Sequence, residues 1–291
     1  MNILHTFNFD EWKPEVDKPT RQHAISALEG GGVIYMPNMR FDLDEEERKL
    51  LTPALSDGKS KNITLKPNGE LKGVADATDQ ISPLRSMLNR YAMNAVLLVA
   101  AMFPEYDAEL IVANTTFRPC EVENRKSSYR KDDSRLHPDA FPSNPTQGMR
   151  LLRVFTNINP QGKPREWRVG EPFSEMAAKY LPDTKPMLPG QAWLMEKFRI
   201  TKKRRTSYDH LMLQLHDMVK SDVDYQKNAP QQHVDFPPGS SWMVFSDQVL
   251  HAAMAGQYMM EQTFYLPVHA LYNPQTAPIR VLESMLNKPL A

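Results

Sequence analysis

Cysteine is almost missing from this chain: Cys120 is the only one in 291 residues. An internal disulfide is therefore excluded, and the composition suits a reducing compartment. Net charge is missing too, with 35 Lys plus Arg balancing 35 Asp plus Glu. No global field draws the chain toward nucleic acid or an anionic surface. Long hydrophobic runs are absent. The most apolar stretch, Tyr91 to Phe103, is interrupted by Asn94 and falls short of the roughly 20 residues that a bilayer-spanning helix needs. The first residues, Met1 to Asn8, lack the basic region and apolar core of a signal peptide. A cytoplasmic protein is the expectation. Glycine is scarce as well, 12 against 24 Pro. Because proline is kept out of central helix and strand positions, long stiffened loops are expected.

Apolar residues make up 41% of the chain, enough for a substantial core. There is no internal repeat and no low-complexity linker, so residues 1–291 read as a single domain in three parts. Residues 1–110 carry helical patterns. Asp44–Leu55 opens on an acidic first turn that complements the helix dipole. Ser82–Met102 places Leu84, Leu88, Tyr91, Ala95 and Leu98 at helical spacing. This part is expected to form a helical buttress against a sheet. Residues 111–270 read mainly as strands, at Leu110–Phe117, Leu151–Ile158, Gln191–Ile200, Ser241–Phe245 and Gln262–His269. The tail, 271–291, holds a short amphipathic helix at Pro278–Leu286. The expected fold is mainly β with helical decorations, built on a double-stranded β-helix (jelly-roll, cupin-like) core.

The chemistry lies in Arg135-Leu-His137-Pro-Asp139-Ala-Phe141 and, far downstream, Phe245-Ser-Asp-Gln-Val-Leu-His251-Ala-Ala. Residues two apart in a strand project from one face, so His137 and Asp139 point together. With His251 they make two imidazoles and one carboxylate, the facial triad of non-haem Fe(II) oxygenases. Spacing matters here, because chance alone gives roughly half a His-x-Asp match in such a composition, and His233-Val-Asp235 is a second one. His251 follows Asp139 by 112 residues, room for several strands, but Asp235 by only 16. The His233 pair also runs into Phe236-Pro-Pro-Gly239 and reads as a solvated loop. Asp247 reads as a turn group rather than a ligand. Ala252 and Ala253, beside His251, leave room for a cosubstrate.

An oxygenase of this kind needs a cation for the distal carboxylate of 2-oxoglutarate, since an unpaired buried charge is costly. No Lys or Arg stands between His251 and Arg280. Arg150 and Arg153, 11 and 14 residues past Asp139, fall on opposite faces of the next strand. Arg153 is the choice because its neighbours look buried. Asn157, Gln262 and Thr263 could add neutral hydrogen bonds to the same cosubstrate.

Several separate blocks then carry a resemblance: Ser134 to Ser143, Arg150 to Pro160, Trp167 to Phe173, Leu213 to Asp217, Trp242 to Ala253 and Gly256 to Phe264. In this order they resemble the 3-deoxy-D-manno-oct-2-ulosonic acid (Kdo) 3-hydroxylases of Gram-negative bacteria, over roughly residues 110–270. The resemblance implies a jelly roll that uses Fe(II), 2-oxoglutarate and O₂ to hydroxylate C3 of Kdo in the lipopolysaccharide inner core, as on Kdo-lipid A, releasing succinate and CO₂. It carries His137, Asp139 and His251 over as the metal ligands.

Such a substrate, an acidic sugar on a phosphorylated lipid, calls for cations. Arg118, Arg125, Lys126, Arg130, Lys131 and Arg135 crowd the metal motif with Tyr129 among them, and His216 and Asp217 stand in another of the blocks. Lys202, Lys203, Arg204 and Arg205 form a sharper patch suited to a peripheral contact at the inner face of the inner membrane. Two rival readings keep the barrel: a 2-oxoglutarate oxygenase for another small acid or amino acid, and a non-catalytic cupin-like sugar-binding protein. A nucleic-acid demethylase is disfavoured by the balanced charge and short basic segments.

Overall fold

The computed structural model describes residues 3–75, 79–122 and 128–291. Arg125 and Lys126 lie outside the described residues. The strands run β1 (Leu4–Thr6), β2 (Val33–Met36), β3 (Ile63–Leu65), β4 (Leu71–Lys72), β5 (Ile111–Arg118) and β6 (Arg150–Asn157). Then come β7 (Arg165–Gly170), β8 (Gln231–Phe236), β9 (Ser241–Phe245), β10 (His251–Ala255) and β11 (Met259–Leu266). The large sheet has the order β1-β2-β9-β6-β11-β5-β3-β4, and the small one β10-β7-β8. An isolated bridge between His137 and His251 adds the 137–139 segment beside β10. Four ribbons on each side thus close a jelly roll, with β9-β6-β11-β5 facing segment 137–139, β10, β7 and β8.

Strand β6 lies in the middle of the large sheet. It is covered on both faces, so it is buried nearly throughout, although half of its residues are polar. Alternate residues sort by face: Leu152 and Val154 join the core under the helices, while Phe155 joins the core between the sheets. The same alternation runs along β9, with Met243 and Phe245 outward and Trp242 and Val244 inward.

Helix Ile81–Met102 lies on the outer face of the large sheet. It buries Leu84, Leu88, Tyr91, Ala95 and Leu98, as their spacing predicts. The Tyr91 hydroxyl donates to the Val154 carbonyl at 3.2 Å, tying this helix to β6. The N-terminal part also supplies β1 to β4 to the large sheet, beyond the helices expected of it. The tail helix Pro278–Leu286 forms as expected.

Three local expectations are corrected. Gln191–Ile200 is not a strand: Gln191–Lys197 is a helix. Its Gln, Leu, Met, Glu and Lys residues are good helix formers. Asp44–Leu55 breaks into a one-turn helix, Glu45–Arg48, and a 3₁₀ turn at Pro53–Leu55, since Pro53 cannot donate to a continuing helix. His233 and Asp235 sit on β8, not in a loop. They project outward while Val234 is buried between them.

Asp247 takes the structural part assigned to it. Its carboxylate accepts from Arg150 Nε at 2.7 Å and from the Leu151 amide at 3.1 Å. The guanidinium of Arg150 is fully buried, donates to Gln248 Oε1 at 2.6 Å and lies 3.9 Å from the Phe245 ring centre. Asp247→Ala would leave that cation buried without its anion, which costs about 3–5 kcal/mol. Urea denaturation of the variant should show this loss; a change below about 1 kcal/mol would mean that the pair is replaceable.

Candidate metal and cosubstrate site

His137 and His251 face each other because the chain pairs them directly. Each backbone amide donates to the other residue's carbonyl at 3.1 Å. Pro138, which has no amide hydrogen, occupies the intervening position where none is needed. The Asp139 amide donates to the Ser246 carbonyl at 2.8 Å, which holds the carboxylate on the same face as His137. One ligand atom from each of His137, Asp139 and His251 lies within 4.8 Å of the other two.

Both imidazoles are fixed in one tautomer. Nδ1 of His137 is 2.6 Å from the Arg135 carbonyl, and Nδ1 of His251 is 2.8 Å from the Val249 carbonyl. A carbonyl only accepts, so each Nδ1 carries the proton and each Nε2 keeps a free lone pair. Burial lowers the pKa of both rings, keeping them neutral. Trp167 stacks on His251 at 5.2 Å, and His216 meets His137 edge-on at 5.2 Å. Burial would raise the Asp139 carboxyl, but the Arg153 guanidinium beside it holds it well below the usual carboxylate range. Two neutral imidazoles and one carboxylate that stays ionised fit a divalent iron and leave open positions on it.

The outer cluster of Glu166, His233 and Asp235 has similar donors. His233 and Asp235 are each 54% exposed and already paired at 2.8 Å, so nothing there excludes water.

A cavity of about 320 Å³ opens over the triad. Seven Lys or Arg side chains and two Asp line it, a surplus of five positive charges. Among them, Arg153 is already committed: it contacts Asp139 at 3.1 Å and Glu261 at 3.0 Å. Arg118 pairs with Glu261 at 2.5 Å and with Asp133 at 3.7 Å, and Lys61 pairs with Asp133.

Arg165, on β7, stands differently. It is 2% exposed, and Nη1 donates to the Gly256 carbonyl at 2.7 Å. Its Nε has no hydrogen-bond partner, as is true of Arg153 and Arg118, but unlike theirs its guanidinium has no carboxylate of the described residues within ion-pair distance. Burial, reinforced by Arg118, pushes its pKa down to about 9. A buried cation in that state is a receptor for an anion, and the distal carboxylate of 2-oxoglutarate is such a group.

The remaining expected site residues divide between the cleft and the scaffold. Lys131 and His216 line the cavity. Arg130 lines it too, and pairs with Asp217 at 2.8 Å, which in turn contacts His216 at 2.9 Å. Thr263 lines an adjoining cleft of about 620 Å³ with Arg153 and Glu261. Tyr129 packs under Arg130, its ring centre 5.1 Å from the guanidinium, and is not part of the cavity wall.

Asn157 is diverted into structure: it donates to the Lys163 and Phe236 carbonyls and accepts from the Asn159 amide. Gln262 points away from the cavity, accepting from Thr115 at 2.6 Å and donating to the Thr263 carbonyl at 2.7 Å. Alternation along β11 aims Glu261 and Thr263 inward instead. Arg135 grips Asp132 and the Lys220 carbonyl, acting on the site only through its own carbonyl. Arg205 is buried and donates to the Pro142 carbonyl, so it leaves the basic patch; Lys202, Lys203 and Arg204 are exposed.

Arg165, Trp167 and Lys220 escaped the sequence reading. The alternation Arg165-Glu-Trp167-Arg-Val169 does place Arg165 and Trp167 on one face. That the face is the interior follows only from the pairing of β7 with β10 and β8.

Comparison with known proteins agrees with this geometry. The family model for 3-deoxy-D-manno-oct-2-ulosonic acid (Kdo) hydroxylase matches residues 11–289. A crystal structure of the Kdo hydroxylase KdoO, a non-haem Fe(II) α-ketoglutarate-dependent dioxygenase in complex with α-ketoglutarate and Fe(III), is 47% identical with a TM-score of 0.95. That match covers 99% of this chain and 97% of the other. The cobalt(II) complex of KdoO, at the same identity and coverage, gives a TM-score of 0.96. Its apo structure, again at that identity and coverage, gives 0.95. A search of the curated proteins finds no match. With the fold, the metal triad and a family match over nearly its whole length in agreement, this chain belongs to the Kdo hydroxylase family.

Proposed function

We propose that this protein hydroxylates C3 of a Kdo unit in a lipopolysaccharide-type glycolipid, as an Fe(II)- and 2-oxoglutarate-dependent dioxygenase. The observation that carries the reading is the neutral-imidazole and carboxylate triad at the floor of a cleft with a cationic surplus. Iron held by His137, Asp139 and His251, with 2-oxoglutarate and O₂, supplies the oxidising chemistry and leaves succinate and CO₂ as coproducts. The chain's own residues bind, orient and shield. Arg165, rather than Arg153, takes the distal carboxylate of 2-oxoglutarate, because Arg153 is neutralised by Asp139 and Glu261 while Arg165 pairs with no carboxylate among the described residues. Arg153 positions the Asp139 carboxylate. Phe141, Phe155, Trp167 and Ala253 wall the cavity with apolar surface that excludes water beside the triad. Arg130, Lys131 and Lys220 line the same cavity and suit the carboxylate of the sugar acid.

Three outcomes are expected. Incubation with Kdo-lipid A, Fe(II), 2-oxoglutarate and air should add one oxygen to a Kdo unit by mass spectrometry. The same glycolipid unchanged, alongside succinate formation that another acceptor stimulates, would reject Kdo and keep the oxygenase. His137→Ala and Asp139→Ala should each abolish the gain and lower Fe(II) affinity more than about 100-fold, given that loss of groups merely supporting a metal ligand costs 10–100-fold. Metal content after dialysis against limiting iron reads this directly.

Arg165→Met should weaken 2-oxoglutarate binding about 10–100-fold, the worth of roughly 1.5–3 kcal/mol for a charged hydrogen bond. Anaerobic calorimetry on the Fe(II) protein would measure it. If Arg153→Met weakens binding and Arg165→Met does not, the anchor is Arg153.

A further inference from the structure

Twelve large apolar side chains stand exposed among the described residues, and five of them fall between positions 188 and 200. They are Leu188, Trp193, Leu194, Phe198 and Ile200, with exposures from 46% to 71%. The helix Gln191–Lys197 buries only Ala192. Leu194 and Phe198 are four residues apart and so share a face, joined by a hydrogen bond from the Phe198 amide to the Leu194 carbonyl at 2.9 Å. Scattered exposed apolar residues need no explanation, but a contiguous group does.

Charge says what covers this group. Between 183 and 204 the chain carries six cations, Lys185, Lys197, Arg199, Lys202, Lys203 and Arg204, against Asp183 and Glu196, a net of +4. All six cations are exposed. The Lys197 ammonium lies 4.6 Å over the Trp193 ring. A second copy of the chain docking on the same patch would set +4 against +4, because a two-fold interface pairs each surface with itself. An anionic bilayer meets both features: apolar and indole side chains enter the headgroup boundary, and Lys and Arg meet phosphates. Lys202 and Lys203 also line the 620 Å³ cleft that holds Arg153, Glu261 and Thr263. The patch is therefore continuous with the approach to the triad.

We propose that segment 185–204 docks the enzyme on an anionic phospholipid bilayer, with Leu194 and Phe198 inserted and the basic residues on the headgroups. In this pose the 620 Å³ cleft opens at the membrane surface. Its use in hydroxylation rests on the glycolipid reading above; the docking itself does not.

The test needs neither iron, 2-oxoglutarate nor Kdo. The full-length protein is sedimented with vesicles of phosphatidylglycerol and phosphatidylethanolamine, and with pure phosphatidylcholine vesicles. Binding to the anionic vesicles should exceed that to phosphatidylcholine by about tenfold or more and should fall as salt rises. The double variants Leu194→Ser/Phe198→Ser and Lys202→Glu/Lys203→Glu should each lose about tenfold or more of that binding. Unchanged melting temperatures would show that both variants are folded, as expected for exposed positions. Equal binding to both vesicle types, or binding that both folded variants retain, overturns the proposal. So does concentration-dependent dimerisation in sedimentation velocity that Leu194→Ser/Phe198→Ser removes, without vesicle binding by the parent, for then a second copy covers the patch.

Discussion

The requirement on which the site depends is that the Asp139 carboxylate stay ionised in surroundings that disfavour charge. The fold meets it with a row of alternating signs: Asp139, Arg153, Glu261, Arg118, Asp133 and Lys61. The sheet order β6-β11-β5 makes the row possible, since Arg153, Glu261 and Arg118 stand on three neighbouring strands. Each interior charge has an opposite neighbour on both sides, so no member is buried alone. Glu261, which burial alone would drive toward protonation, is held low by Arg153 and Arg118. The metal ligand is thus the end of a structural network, and residues on β5 and β11 help to set its charge.

That economy separates the two arginines of the cleft. A guanidinium already shared by two carboxylates offers little to a third; a buried one that gives its hydrogen bond to a backbone carbonyl and pairs with no carboxylate of the described residues offers much. Charge count along the sequence cannot make this distinction, because Arg153 and Arg165 both sit in strands and nothing local shows which of them meets a carboxylate.

The parts that the sequence made legible rest on periodicity or long-range spacing. His137, Asp139 and His251 meet as expected, because a two-residue offset within a strand is a geometric constraint. The helix Ile81–Met102 is likewise visible in its stripe. Where the outcome depends on which face becomes the interior, the sequence is mute. His233 and Asp235 share a face as surely as His137 and Asp139, yet β8 turns that face to solvent. Gln262 sits one residue from the inward positions of β11, and that single step takes it out of the cavity. Asn157 looks like a polar group beside a site, but three backbone partners, one of them on β8, consume it. The segment 191–200 misleads in another way: its apolar residues mimic a buried strand, although Trp193 and Leu194 are exposed on a short helix and Phe198 and Ile200 just past its end.

The direct pairing of His137 with His251 has a consequence for how the protein lives with its metal. Two backbone hydrogen bonds, not the ion, hold the ligand segment against β10, and the imidazole tautomers are set by carbonyls of the chain itself. The coordinating geometry is therefore assembled during folding, unlike that of a zinc finger, which is unfolded without its ion. Bound iron adds stability by mass action alone. The ligand segment is thus held by the chain's own hydrogen bonds, which makes the ion a replaceable part and the protein its holder.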